Sequence, residues 1–122
     1  MNSSLVRDSN ILSLWSVFNE FRLENEFCDA CLRVGSELFH SHRFVLTAAS
    51  DYFRALFGGH FKEKNADQDE PITVRDIDAA AFREILEFIY TGDLTVTDSN
   101  VCNLLVVSDF LQLRTPFVRN RC

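Results

Sequence analysis

Three groups of side chains in this chain have types and spacings that invite chemistry. Cys28-x-x-Cys31 offers two thiols at a separation common in zinc and redox sites. His40-x-His42 offers two imidazoles, and Asp29 and Arg43 offer a carboxylate and a guanidinium that a hairpin could bring together. Each falls short of a reactive centre. Strand positions three apart point to opposite faces, so Cys28 and Cys31 should diverge, and no second Cys or His pair completes a tetrahedron. His40 and His42 would share a strand face, but the chain turns into a helix there and two imidazoles leave a metal half ligated. The expectation is therefore no metal and no cofactor, with Cys28 and Cys31 as small strand hydrophobes and His42 bonded to nearby backbone. No Gly-x-Ser-x-Gly elbow, phosphate loop or metal-helix motif sets a nucleophile beside an oriented base, so no catalytic residue is assigned and an enzyme is not expected. Asp29 and Arg43 read as a structural charged pair, because removing one partner of a buried pair costs about 3–5 kcal/mol.

The elements that must position these groups follow from periodicity. Ile11, Leu14, Trp15, Phe18 and Phe21 recur at helical spacing up to about Leu23, after a polar start at 2–9 in which Asp8 or Ser9 can cap. Phe27 to Val34 reads as a strand, Gly35-Ser36 as a two-residue turn, and Glu37-Leu38-Phe39 as the returning strand. Two short helices come next: Phe44, Val45, Ala48 and Ala49 mark one buried face and Tyr52, Phe53, Leu56 and Phe57 the other. Ser50 between them breaks the first helix and caps the second. Beyond Gly58-Gly59 a polar loop, 62–70, leads to a strand at 71–74. Asp78 then caps a helix whose stripe is Phe82, Ile85, Leu86 and Ile89, with Ile77 and Phe82 placed as a staple and Gly92 as the stop. Leu94-Thr95-Val96 is a short extended piece. A last helix, capped by Thr97 or Asp98, carries Val101, Leu104, Leu105, Ser108 and Leu111 or Gln112, and Pro116 stops it or starts another.

Composition narrows the function. A chain of 122 residues holds one domain, and 47% hydrophobic content with twelve Phe demands either a well-packed core or a partner that covers the excess. The formal net charge is −6 and the basic residues form no stripe, which argues against a nucleic-acid surface. No apolar run is long enough to span a bilayer and the N-terminus lacks a signal-peptide pattern, so the expectation is a protein of the cytoplasm, with the nucleus open, that has no membrane partner. Four cysteines without a staple-like arrangement fit a reducing compartment.

The run from Phe39 to Phe57, the preceding Cys28-Asp29-Ala30-Cys31-Leu32 and the later Phe88-Ile89-Tyr90-Thr91-Gly92 together resemble the core signature of BTB (POZ) domains, most closely the kelch-like branch. The likeness extends from Phe27 to about Leu113. It implies an α/β (α+β) fold in which a helical cluster packs on a small mixed sheet, with residues 1–25 as an N-terminal dimerisation helix and 26–122 as the BTB core. It further implies a homodimer that recruits a cullin-3 ubiquitin ligase to substrate proteins chosen by downstream domains. The chain stops where kelch-like proteins continue into BACK and kelch regions, which suggests an excised or truncated piece.

On this resemblance the dimer interface comprises Ile11, Leu14, Trp15, Phe18, Phe21 and Phe44. The cullin surface comprises Tyr52, His60, Phe61, Lys62, Glu63 and Gln112, where Phe61-x-Glu63 matches the hydrophobic-x-Glu element of cullin-3-binding members. Asp29 and Arg43 occupy the positions of the family's charged pocket. The alternative is the BTB domain of a transcription regulator, whose dimer groove binds co-repressor peptides.

Overall fold

In the computed structural model, which describes residues 3–58 and 70–114, the hairpin forms around Gly35, whose φ of 62° is the left-handed turn conformation that glycine adopts without strain. Strands β1 (Ala30–Val34) and β2 (Glu37–Ser41) pair antiparallel with Val34 opposite Glu37 and Ala30 opposite Ser41. Strand β3 (Ile72–Val74) joins the other edge of β1 in parallel, giving a mixed sheet of order β2-β1-β3. The inner face carries Ala30, Leu32, Val34, Phe39 and Val74, all buried.

Helices α1 (Ser3–Leu23), α2 (Arg43–Ala49), α3 (Asp51–Phe57), α4 (Ala79–Thr91) and α5 (Val101–Leu111) complete the domain. One core joins the sheet to Leu46, Phe53 and Phe57 of α2 and α3, to Phe82, Ile85, Leu86 and Tyr90 of α4, and to Leu104, Val107 and Leu111 of α5. Each of the large side chains adds about 1.5–3 kcal/mol of burial energy. Asp78 caps α4 by accepting the Ala81 amide at 2.9 Å, and Gly92 ends it at φ 82°. The α+β fold, the hairpin, the Ser50 break and the α4 stripe are as the sequence predicts.

Several boundaries differ, for physical reasons. Helix α1 begins at Ser3 and runs through Asp8 and Ser9, so neither caps it. β1 starts at Ala30 rather than Phe27, because Asn25 and Phe27 take left-handed φ values of 55° and 58° and cannot extend a strand. Cys28 is thus in a joint, and only Cys31 is a strand residue. β2 continues two residues past Phe39. In α2 the buried pair is Val45 and Leu46, whereas Phe44 and Ala48 face outward. Leu94 to Val96 pairs with no strand among the described residues. Thr97 and Asn100 form a reciprocal box, each side chain accepting the other's amide, but helical residues start only at Val101. Val107 takes the inward place given to Leu105, which is exposed. Pro116 lies outside the described residues.

Candidate functional site

Two surfaces gather the residues singled out by sequence. The first lies between α1, the 24–29 joint and α2. Helix α2 has no side-chain cap of its own at His42. Its first amides are satisfied from a distance: the Asp29 carboxylate accepts the Arg43 N–H at 2.8 Å, and the Tyr90 hydroxyl accepts the His42 N–H at 3.2 Å. The Arg43 guanidinium returns a bond from Nε to the Asp29 carbonyl at 3.1 Å and lies over the Phe57 ring. Asp29 and Arg43 therefore meet through two bonds that each use a main-chain atom, so Asp29 acts as a remote helix cap.

Above this point opens a groove of about 250 Å³ whose walls are Phe18, Phe21, Phe27 and Phe44, with Asp29 and His42 at its polar end. Phe44 is 85% exposed and Phe27 79%, while Leu14 and Ile11 on α1 are 48% and 47% exposed. The sequence placed the α1 residues on one face, but the structure divides them. Trp15 and Phe18 are half-buried against their own core, with Trp15 edge-on to Phe18 at 5.3 Å and to Tyr90 at 6.3 Å. Phe21 is half-buried and packs edge-on to Phe27. Ile11, Leu14 and Phe44 remain uncovered.

His42, which the sequence reads as structural, bonds through its ring to the Glu26 carbonyl at 3.0 Å and the Tyr90 hydroxyl at 2.7 Å. Cys28 Sγ sits 3.6 Å from His42 Nε2 and 3.9 Å from the Phe21 carbonyl. Burial pushes the Cys28 thiol up, with Asp29 adding to the rise and Arg22 opposing it; burial also raises Cys31. Such thiols favour the protonated, unreactive form. His40 is exposed on the outer sheet face, opposite Cys31 in register.

The second surface is the corner where α3 meets the end of α5. The Ser50 hydroxyl donates to the Leu111 carbonyl at 2.6 Å and accepts the Phe53 amide at 3.1 Å. Asp51 N–H donates to the Gln112 carbonyl, Arg114 N–H to the Ala49 carbonyl, and the Arg114 guanidinium to Asp51 and the Ala48 carbonyl. Gln112 adopts φ 52° and closes α5. These bonds set Tyr52 beside α5, its ring 4.8 Å from that of Phe110, and burial pushes the Tyr52 phenol up. Val106, 61% exposed, continues an apolar strip with Leu105 and Phe110. Tyr52 and Gln112 are thus brought to one corner, and His60, Phe61, Lys62 and Glu63 lie outside the described residues.

The sequence reasoning missed three features. Tyr90 falls one turn beyond Leu86 on the α4 stripe, and a buried phenol needs a partner, which was the available signal. Val106 and Phe110 belong to a helix apolar nearly all round, a pattern that leaves some side chains uncovered. Nothing local marks Phe27 for a left-handed φ.

A family model for the BTB/POZ domain matches residues 18–120. The chain belongs to the BTB/POZ family. This BTB domain is 35% identical over 121 residues to Kelch repeat and BTB domain-containing protein 3 of Homo sapiens and of Pongo abelii, covering 99% of this chain and 19% of each relative. It is 36% identical over 96 residues to Kelch-like protein 28 of Mus musculus, covering 79% of this chain and 16% of that protein. The chain spans a fifth or less of the length of these curated relatives. Among solved structures it resembles the BTB domain of zebrafish PATZ1, with a TM-score of 0.74 and 30% identity over 88% of this chain and 84% of that one. The BTB domain is a protein-interaction domain with kelch-like relatives. No helix among the described residues is long and apolar enough to cross a membrane.

Proposed function

We propose that this BTB domain is a homodimeric adaptor that recruits a cullin-3 ubiquitin ligase, in the cytoplasm or nucleus, to substrates chosen by other domains of a longer protein. The observation that carries the self-association is the set of outward apolar side chains, Phe27 and Phe44 on the rim of one groove and Ile11 and Leu14 on α1, which a partner surface would cover. A second copy related by a two-fold axis would bury the same residues on both chains. The cullin assignment is supported by the kelch-like relatives and by Tyr52 and Gln112 sharing a corner with the Phe110 and Val106 strip.

Sedimentation equilibrium tests the first part: the wild type is expected as a dimer, and Leu14→Asp with Phe44→Asp as a folded monomer, because buried unpaired carboxylates cannot be hydrated. Calorimetry with the N-terminal region of cullin-3 tests the second. Tyr52→Ala and Phe61→Ala should each leave the dimer intact, and Phe61→Ala should weaken binding by about thirtyfold or more, as a pocket-filling aromatic does. Glu63→Ala should cost less and show more at low salt. Unchanged affinity in Phe61→Ala would shift the reading to co-repressor peptide binding in the dimer groove. That second reading is favoured by the likeness to a BTB domain outside the kelch-named relatives, that of PATZ1.

A further inference from the structure

Strand β2, the start of α2 and helix α1 all meet the buried side chain of Tyr90. The Tyr90 side chain of α4 is 1% exposed, and its oxygen lies 2.8 Å from Ser41 Oγ of β2, 3.2 Å from the His42 main-chain nitrogen and 2.7 Å from His42 Nδ1. The Glu26 carbonyl, at 3.0 Å, can only accept, so His42 Nε2 carries a proton and donates to it, and Cys28, with its Sγ at 3.6 Å from Nε2, directs its own proton to the Phe21 carbonyl. One arrangement then satisfies every group: Ser41 O–H and His42 N–H donate to the Tyr90 oxygen, Tyr90 O–H donates to Nδ1, and Nε2–H donates to Glu26. In the reverse arrangement, with Nδ1 protonated and Tyr90 donating to Ser41, the Ser41 hydroxyl proton finds no acceptor among the described residues in a fully buried site.

The far end of this relay is the unusual part. Glu26 lies between Asn25 and Phe27, both left-handed, at the joint between α1 and β1. A phenylalanine holds such a φ only where its surroundings enforce it. The same phenol also faces α1 directly, under the Arg22 guanidinium at 5.0 Å and against the Trp15 ring.

We infer that Tyr90 is the positioning residue for α1: by fixing the neutral, Nε2-protonated tautomer of His42 it pins the Glu26 carbonyl and the left-handed joint. The angle at which α1 presents the exposed Ile11 and Leu14, and sets Phe18 and Phe21 against Phe27 and Phe44, is thereby set from inside the core. Only this last consequence rests on the self-association reading.

Amide hydrogen exchange and the ring ¹⁵N shifts of His42, measured on wild type and Tyr90→Phe in the full chain, test the latch. The variant keeps the ring packing and loses the hydroxyl. Exchange should accelerate tenfold or more in residues 13–28 and change less than twofold in β1, β2 and α4. The His42 nitrogens should move from a single Nε2-protonated pattern to an averaged one. Equal acceleration throughout the domain, no acceleration in α1, or unmoved His42 shifts would overturn the proposal. His42→Asn, too short to span Tyr90 and Glu26, should release α1 in the same way and decides the matter if Tyr90→Phe does not fold. Sedimentation of the same samples separates the two readings. A monomeric wild type removes self-association and leaves the latch to be judged by exchange. A dimer that Tyr90→Phe does not weaken about tenfold, despite a released α1, overturns the claim that the latch positions the face.

Discussion

The Ser50 hydroxyl donates to the Leu111 carbonyl and accepts the Phe53 amide in a site closed to water. Ser50→Ala removes a helix cap and strands a buried carbonyl at once. The expected loss is about 2 kcal/mol of unfolding free energy, the sum of a typical cap at about 1 kcal/mol and one unsatisfied buried acceptor at about 1 kcal/mol, the low end of its range. Ser36→Ala in the exposed hairpin turn should stay within about 0.5 kcal/mol. Urea unfolding of the two variants checks the contrast. The capping role of Ser50 was legible in the sequence because a cap is a local device. Its bond to Leu111 was not, because no local pattern reports a carbonyl 61 positions away.

Helix α4 depends on its ends as much as on its stripe. Asp78→Ala should lower the melting temperature by about 4 °C, the equivalent of about 1 kcal/mol in a domain of this size, while Asp78→Asn, which can still accept the Ala81 amide, should lose far less. Differential scanning calorimetry on both variants separates loss of the cap from loss of charge. The stripe, the cap and the Gly92 stop are all written in adjacent residues, so α4 could be read directly. Helix α2 could not. With seven residues it offers too few positions to fix a face, and tertiary packing chose Val45 and Leu46 over Phe44. The joint was equally opaque, since a left-handed phenylalanine has no sequence signature. At the candidate site, the resemblance supplied the residues and only the structure showed which share a surface: Tyr52 with Gln112, and Phe44 with Phe18 and Phe21.

At the scale of the whole molecule, four groups among the described residues titrate higher than usual, all chiefly through burial: Cys28 and Cys31 above a thiol's 9.0, and Tyr52 and Tyr90 above a phenol's 10.0. At Tyr90 the bonds from Ser41 and His42 partly offset that rise. A raised folded-state value means the native chain holds these protons more tightly than the unfolded chain. The associated stability is therefore complete below the ordinary values and lost as pH rises through the folded ones. Urea midpoints should stay level through neutral pH and fall from about pH 9 upward, with a shallower fall in Tyr90→Phe. The stitch between Ser50 and the end of α5 also bears on how the chain is born. On the ribosome the α2–α3 corner emerges long before Leu111 and Leu113, so for that interval its inner face and the phenylalanines of α1 have no finished core to meet. A nascent chain of this kind stays a client for chaperones until its last described helix appears, and pausing translation before that point should raise aggregation more than pausing after it.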